Sequence, residues 1–207
     1  LFEDVPLIAE PRGAALATKI NNLIDALPED CEYVGWLGDD DILLPSALQA
    51  ATKVLDDNPD VVMVYGGCDY ISSTGEVLFT NRSSQSASAL LKMGPQLIPQ
   101  PGSLWRRKAF EKVGGLSSDY SLAFDFDLFL KLSKEGRLHH VPKTLAQFRW
   151  HKGSMSVRHR LASVREASRV RRTHYQGVSR FIWPLWEPLV LVTTLIAGWL
   201  VSKRFSI

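Results

Sequence analysis

Two short acidic stretches carry the residues of this sequence that are best suited to chemistry. Asp39, Asp40 and Asp41 are consecutive, whereas Asp125 and Asp127 lie far downstream among large apolar residues. Carboxylate oxygens bind hard divalent cations in proteins, usually together with phosphate oxygens. A carboxylate among apolar side chains can also accept a proton from a hydroxyl group. The two stretches therefore suggest a metal-binding group and a general base.

Each stretch also has a simpler explanation. An isolated acidic triplet is typical of a solvated turn that leads into a helix. Asp125 and Asp127 would also stabilise a helix N-terminus by complementing its dipole. His151 could bind a metal as a neutral imidazole, although a single histidine is more often structural. The chemical interpretation therefore requires that both acidic stretches face one cleft.

The residues around the acidic triplet predict an α/β arrangement. Apolar residues at helical spacing predict helices at 16–27 and 47–57, and Ser46 with Gln49 suggests a capping box. The apolar run 33–37 leads into the three aspartates, as expected of a buried strand that ends in a polar loop. Open α/β sheets bind ligands outside the carboxyl ends of their strands. The triplet is therefore expected at a ligand-binding edge.

Strands and helices are expected to alternate further along the chain. The β-branched and aromatic runs and a turn around Gly75 predict a strand and a hairpin, and residues 83–102 predict a long connection. The expected strands are 61–65, 70–71 and 77–79, and the expected helices are 87–93, 107–113 and 125–135. This alternation predicts an α/β sheet.

A series of short motifs follows in fixed order along residues 8–156. They are Glu-Pro-Arg-Gly at 10–13, Ala17 with Asn21, Gly-Trp-Leu-Gly-Asp-Asp-Asp at 35–41, Asn-Pro-Asp at 58–60, Val-Tyr-Gly at 64–66, Pro-Gln-Pro-Gly-Ser at 99–103, Arg-Arg at 106–107, Val-Gly-Gly-Leu at 113–116, Asp-Phe-Asp-Leu at 125–128 and Arg-Trp-His at 149–151. In order and spacing they resemble the family-2 glycosyltransferases of the GT-A fold. The resemblance implies a Rossmann-like mixed sheet flanked by helices.

The same resemblance implies transfer of a single sugar from a nucleotide-diphosphate sugar, with inversion and with Mn²⁺ or Mg²⁺. The implied acceptor is lipid-linked or a polysaccharide of a bacterial cell envelope. The carried-over roles are general base for Asp125, donor binding for Asp39 and Asp40, metal binding for Asp41, Asp39 and His151, and acceptor binding for Gln100, Gly102, Ser103 and Asp127. Asp40 is the other candidate for the metal.

The sequence departs from the family pattern in two places. The family begins with a strand, a helix and a strand that carry the nucleotide-base site, and this chain starts after them. The expected domain is therefore N-terminally truncated, and a non-catalytic remnant that needs a separate donor-binding half is the alternative. Processive relatives carry Gln-x-x-Arg-Trp, whereas residues 147–150 read Gln-Phe-Arg-Trp, one residue short. Transfer of one sugar is therefore preferred.

The C-terminal part divides into a basic and an apolar segment. Seven arginines lie between Arg158 and Arg180 with Glu166 as the opposing acid, and an apolar stretch with three tryptophans follows. Tryptophans and flanking cations are enriched at membrane interfaces. We therefore expect a transferase domain at 1–156, a basic helical connector at 157–180 and a helical, membrane-associating segment at 181–207. A buried terminal helix or a dimer contact would also explain this segment.

Charge and cysteine content restrict the partners and the location. The chain has 24 Lys and Arg against 22 Asp and Glu, and its basic segment lacks interleaved aromatic residues, so no nucleic-acid partner is expected. Cys31 and Cys68 suit reduced, buried thiols. The expected location is the cytoplasmic face of the inner membrane, as a peripheral or monotopic protein, or the cytoplasm.

Overall fold

A computed structural model describes residues 13–151 and 153–205. They form a mixed six-stranded sheet flanked by helices, which confirms the predicted α/β class. The strands are β1 (Tyr33–Val34), β2 (Ile42–Leu43), β3 (Val61–Ile71), β4 (Val77–Asn81), β5 (Leu104–Arg106) and β6 (Arg137–Arg149). The helices are α1 (Leu16–Asp25), α2 (Ala47–Asp57), α3 (Gln85–Leu90), α4 (Arg107–Lys112), α5 (Phe124–Glu135), α6 (Met155–Arg158), α7 (Arg160–His174), α8 (Ser179–Ile182) and α9 (Glu187–Phe205).

The strand directions bring three carboxyl ends to one edge of the sheet. The order is β1-β5-β3-β6-β2, with β4 paired to β3 beside β5. Strands β3 and β6 are parallel, and β1 runs in the same direction because β5 is antiparallel to both β1 and β3. Loops that follow β1, β3 and β6 therefore leave from the same edge, where α/β sheets bind ligands.

Helices cover both faces of the sheet. One core cluster joins α1, α4 and α5 to Met63, Tyr65 and Trp105 of the strands. A second cluster joins α2 to Val64 of β3 and Leu145 of β6 on the other face. The three largest of these side chains, Met63, Tyr65 and Trp105, have no exposed surface, so the sheet is the shared wall of both cores.

Helix α5 begins at the same edge as the carboxyl ends of β3 and β6. Its last residue is followed by Gly136, where an added Cβ would lie 2.5 Å from Val62 Cγ1 and 2.7 Å from Asp60 O. The end of α5 is thus pressed against the start of β3, and no larger residue fits there without a shift. Helix α5 is about 18 Å long, and the ring centroid of its first residue, Phe124, lies 6.0 Å from that of Trp36, two residues beyond β1. Its first turn therefore lies near the edge at which β1, β3 and β6 end.

Strand β6, the longest strand among the described residues, was not predicted from the sequence. Pro142 lies in its middle and cannot donate to a ladder. The structure accommodates it at a register shift between Tyr65 and Gly67, and Gly66 supplies the space. A Cβ at Gly66 would lie 2.6 Å from both Leu145 Cγ and Lys143 O. A glycine on one strand therefore allows a proline on its neighbour.

Two local predictions near the acidic triplet were wrong. The expected strand at 33–37 contains only two paired residues, Tyr33 and Val34, which lie on an edge strand. The expected capping box is absent, since Ser46 adopts a left-handed conformation with φ 64° and its side chain makes no capping hydrogen bond. The hairpin around Gly75 and helices α1, α2, α4 and α5 are confirmed within a few residues.

The C-terminal helices pack back onto the domain. Helix α9 runs antiparallel to α7, because Arg171 contacts Glu187 at one end and the Arg160 side chain lies over Gly198 at the other. None of the described helices alone combines the length and apolar composition of a membrane span. Ser179–Leu185 and Glu187–Val201 have the required length and apolar composition when taken together, but the two segments are bent by 53° relative to each other.

Candidate active site

The acidic turn, which we define as Gly38, Asp39, Asp40 and Asp41, connects β1 to β2. The Asp41 N–H donates to Gly38 O at 3.2 Å, which closes the turn. An added Cβ at Gly38 would lie 2.8 Å from Asp41 Oδ2 and 3.2 Å from Asp40 Oδ1. The two carboxylates therefore converge over this glycine, and a larger residue would push them apart.

Arg149, at the end of β6, fixes the acidic turn. Its backbone N–H donates to Asp41 Oδ1 at 2.9 Å, and its Nε donates to Asp40 O at 3.0 Å. Its Nη1 donates to the carbonyls of Ser72 and Ser73 in the β3–β4 hairpin, each at 3.0 Å. One side chain thus joins the loops that leave β1, β3 and β6. No role of Arg149 was predicted from the sequence, because β6, the strand that ends at Arg149, was not predicted.

His151 lies against the acidic turn and contacts Asp40. Its Nε2 is 3.1 Å from Asp40 Oδ2, and its Nδ1 accepts a hydrogen bond from the Gly153 N–H at 3.1 Å. Since Nδ1 is an acceptor, the neutral ring carries its proton on Nε2 and donates it to Asp40. Ser154 holds the loop by accepting from His151 N and donating to Arg149 O.

Burial raises the pKa of Asp41, and the neighbouring charge of Asp40 raises it further, while the Arg149 N–H offsets part of the shift. Two converging carboxylates of this kind would be stabilised by a divalent cation. Among the residues that the structure describes, no group of three or more His, Cys, Asp and Glu side chains is arranged so that it could hold a metal ion. Asp40 and His151 are in contact and Asp41 lies in the same turn, and metal binding by these residues stays a prediction.

Asp125 lies half-buried in the first turn of α5. Its Oδ1 accepts from the Phe126 N–H at 2.8 Å, and its Oδ2 accepts from Gln96 Nε2 at 2.7 Å. Burial raises the pKa of Asp125, these bonds oppose the rise, and the charge of Glu166 adds to it. A carboxylate with a raised pKa and only neutral hydrogen-bond partners suits a general base.

Asp127, one residue beyond Phe126, is held very differently. It is 3% exposed, with His174 Nε2 at 2.8 Å from Oδ1 and Lys131 Nζ at 2.7 Å from Oδ2. Burial alone would raise the pKa of Asp127, but these two partners outweigh it and hold the pKa below its ordinary value. Asp127 therefore ties α5 to α7, and acceptor binding by this residue stays a prediction.

Glu166 of α7 caps the segment that leads into α5. Its carboxylate accepts hydrogen bonds from the backbone N–H groups of Ser121, Leu122 and Ala123. Its charge is thereby fixed close to Asp125. In the sequence, Glu166 is notable only as the single acid among the arginines. Its three backbone partners lie in a distant segment, so its capping role cannot be recognised from composition.

Tyr70, near the carboxyl end of β3, relates the acidic turn to Asp125. Burial raises its pKa, and the charges of both Asp125 and Asp41 contribute to the rise. The ring of Trp36, which precedes the acidic turn, packs against Phe124, the first residue of α5. Together with the strand directions, this contact indicates that the acidic turn and the first turn of α5 lie at the same edge of the sheet.

The predicted acceptor loop packs beside the acidic turn. Gln100 Nε2 donates to Trp36 O at 2.7 Å, and Ser103 Oγ donates to Gln100 O at 2.6 Å. Gly102 has φ +78°, and an added Cβ would lie 2.9 Å from Leu145 Cβ. The loop lines a mostly apolar pocket between β1 and α2. Trp36 also packs against Phe124, the first residue of α5, so it connects this pocket to the helix of Asp125.

The chain is distantly similar to two proteins described as uncharacterised glycosyltransferases. It is 29% identical to one from Rickettsia conorii and 28% identical to one from Rickettsia felis, in each case over 150 residues. Each match includes 67% of this chain but 23% of the relative, so the chain spans about a quarter of the length of these curated relatives. No family model matches the sequence. The similarity suggests sugar transfer.

Proposed function

We propose that this chain carries the acceptor-side part of an inverting, metal-dependent glycosyltransferase. The donor would be a nucleotide-diphosphate sugar, and the acceptor a hydroxyl group of a lipid-linked or polysaccharide glycan. The observation that carries the proposal is the presence of two unlike acidic groups at one sheet edge. The distant similarity to two glycosyltransferases agrees with this assignment.

In the proposed reaction, Asp125 takes the proton of the acceptor hydroxyl while the acceptor oxygen forms its bond to the anomeric carbon. The bond from that carbon to the donor diphosphate breaks, and the diphosphate leaves. Gln96 and the Phe126 N–H orient the Asp125 carboxylate through its two oxygens. The raised pKa of Asp125 makes its carboxylate a stronger proton acceptor than a solvent-exposed aspartate.

Asp40, Asp41 and His151 would hold Mn²⁺ or Mg²⁺, with Asp39 facing the donor in the same turn. The cation would neutralise charge that develops on the leaving diphosphate. Arg149 keeps the two carboxylates convergent by binding Asp41 through its N–H and the Asp40 carbonyl through its guanidinium group. To bind a cation through Nε2, the neutral His151 ring would have to turn away from Asp40 and carry its proton on Nδ1, which would release the Gly153 N–H.

The test is a binding and transfer assay with nucleotide-diphosphate sugars and Mn²⁺ or Mg²⁺. We expect binding that requires the cation and that is reversed by a chelator, and transfer in a preparation that contains the donor-binding half. Turnover that is unaffected by removal of divalent cations would contradict the metal assignment.

The second candidate function is a non-catalytic remnant that keeps the core of such a domain. It is favoured by the side-chain arrangement, since no group of three or more His, Cys, Asp and Glu side chains among the described residues could hold a metal ion. Calorimetry separates the two, because a remnant would bind no donor in the presence of Mn²⁺, whereas micromolar affinity would exclude it.

A further inference from the structure

Helices α8 and α9 expose a continuous apolar face. The side chains of this face are between 51% and 81% exposed, although all are large and hydrophobic. In α9 they recur at helical spacing, so they form one stripe along the axis. The α8–α9 face consists of Phe181 of α8, Leu185 of the 3₁₀ turn Trp183–Leu185 between the two helices, and Leu189, Val192, Ile196 and Leu200 of α9.

Cations stand at both ends of the α8–α9 face and contact its tryptophans. Arg172 lies 5.1 Å from the ring centroid of Trp183, and Lys203 Nζ lies 5.1 Å from that of Trp199. Arg180 is exposed within α8 itself. An apolar stripe with tryptophans and cations at its rim matches the chemistry of an anionic lipid surface, where acyl chains lie beneath negative headgroups.

The one acid within this segment is hidden from the face. Glu187 is 1% exposed, and Arg171 binds it through Nε and Nη2 while Tyr175 donates to Oε2. Burial alone would raise the pKa of Glu187, but the Arg171 hydrogen bond outweighs it and keeps the pKa below its ordinary value. The carboxylate therefore stays paired inside the protein and does not oppose contact with lipid.

The position of helix α7 restricts the orientation in which α9 can bind a bilayer. It lies along the opposite side of α9, from the Arg171–Glu187 pair to the contact of Arg160 with Gly198. Arg165 and Arg169 are exposed on α7. If α9 crossed the membrane, α7 would carry these arginines into the hydrocarbon, at a cost of about 3 kcal/mol for each by insertion scales. With α9 parallel to the surface, they remain at the headgroups.

We propose that α8 and α9 dock onto an anionic membrane surface and lie in its plane. The apolar face enters the leaflet to the depth of the acyl-chain boundary, while α7 stays on the headgroup side. Docking would hold α5, through its contacts with α7, at a fixed distance from the lipid. The proposal does not depend on sugar transfer, since its tests read binding and depth rather than turnover.

The first test is flotation of the protein with vesicles of phosphatidylglycerol and phosphatidylcholine, compared with phosphatidylcholine alone. We expect binding only to the anionic vesicles, weakened by salt. Arg180→Glu with Lys203→Glu should weaken it about tenfold or more. Leu189→Asp with Ile196→Asp should weaken it at least about a hundredfold, because two large apolar groups no longer enter the leaflet.

Val77→Asp is the matched control, since Val77 is 54% exposed but lies on β4, away from the face. It should bind vesicles like the parent, and all variants should keep the parent melting temperature because their sites are exposed. Unchanged binding by Leu189→Asp with Ile196→Asp would overturn the proposal. So would a dimer in sedimentation velocity that these two substitutions dissociate, together with no vesicle binding by the parent.

Depth measurement separates an in-plane from a spanning helix. A fluorophore is attached to single cysteines at positions 189, 192, 196 and 200 in a Cys31→Ser background, in which Cys68 stays buried. Quenching by lipids labelled at different acyl carbons should report the same shallow depth at all four positions. Positions 189 and 200 are about 16 Å apart along the helix axis. A depth that changes steadily between them would show that α9 crosses the bilayer and would contradict the in-plane arrangement.

Discussion

The acidic turn and the first turn of α5 hold acids at the same sheet edge in opposite ways. In the acidic turn, Asp40 is exposed and its carboxylate converges with that of Asp41. In α5, Asp127 is bound by His174 and by the cationic Lys131 side chain, whereas Asp125 is bound by neutral donors. In the proposed function a cation completes the first group, whereas the partners of the second group all belong to the protein. This difference matches a division of labour between binding a diphosphate and moving a proton.

Within α5 the contrast is repeated two residues apart. Asp125 and Asp127 both lie in the first turn, yet the pKa of Asp125 is raised and that of Asp127 is lowered. The helix dipole acts on both, so it does not account for the difference. Their partners do, because Asp125 has an amide and a backbone N–H where Asp127 has His174 and Lys131.

The largest effect is expected at Asp125. Replacing it by Asn keeps the size of the side chain and an acceptor for the Phe126 N–H, and Gln96 can still pair with it by turning its amide to offer Oε1, but the proton acceptor is removed. We expect kcat for sugar transfer to fall about 10²- to 10⁴-fold, as for loss of a general base. The conservative Asp125→Glu variant should recover part of the rate. A parent-like rate in Asp125→Asn would show that Asp125 is not the general base.

The second effect concerns the convergence of Asp40 and Asp41. Gly38→Ala places a methyl group within 2.8 Å of Asp41 Oδ2, so the carboxylates must separate. Calorimetry should show weaker Mn²⁺-dependent donor binding, by about tenfold or more for a displaced ligand pair. Asp57→Ala, an exposed acid on α2, serves as the control and should bind as the parent does. Equal donor affinity in Gly38→Ala and the parent would show that the acidic turn does not bind the metal.

The third effect is on stability rather than on rate. Asp127→Asn leaves His174 and Lys131 without their acid, and we expect unfolding in urea to become easier by about 3 kcal/mol at neutral pH. Asp60→Asn, which breaks an exposed pair with Arg137, should cost measurably less.

The lowered pKa of Asp127 also predicts that the free energy of unfolding depends on pH. Because the folded pKa of Asp127 is below its ordinary value, its contribution is fully present above that value, about 3.9, and is lost as the pH falls through the folded pKa. The difference in stability between the parent and Asp127→Asn should therefore narrow in acid. A difference that stays constant across this range would show that the carboxylate charge is not what stabilises the fold.

The smallest effect is expected at Glu166. Glu166→Gln keeps a side-chain oxygen for the backbone N–H groups of 121–123 but removes a charge that raises the pKa of Asp125. The acidic limb of the pH–rate profile should therefore shift to lower pH, with little loss of rate at its maximum. A purely structural role would leave the position of the limb unchanged.

The sequence predicted the fold class because its signals were local. Periodic apolar residues identified α1, α2 and α5, and Gly75 identified the hairpin. Strand β6 could not be found in the same way, because Pro142 opposes strand formation and its compensation lies on another strand, at Gly66. Pairing between distant segments is not visible in either segment alone.

Within the candidate site, the residue types were predictable but their partners were not. The acidic stretches stood out by charge and by apolar neighbours. Arg149, Gln96 and Glu166 did not stand out, since each acts through a contact between residues that are at least 29 positions apart in the sequence. Asp125 and Asp127 also looked equivalent in the sequence, and their different pKa directions follow from tertiary contacts.

The central claim is that the acidic turn and Asp125 face one cleft, and Mn²⁺ itself can measure this. In NMR spectra of the 207-residue chain, bound Mn²⁺ should broaden the amide signals of residues 124–127 far more than those of residues 132–135. The reason is that α5 is about 18 Å long and only its first turn lies at the shared edge. The Asp40→Ala with Asp41→Ala variant should abolish this gradient. Equal broadening at both ends of α5 in the parent, or stronger broadening at 132–135, would contradict the account.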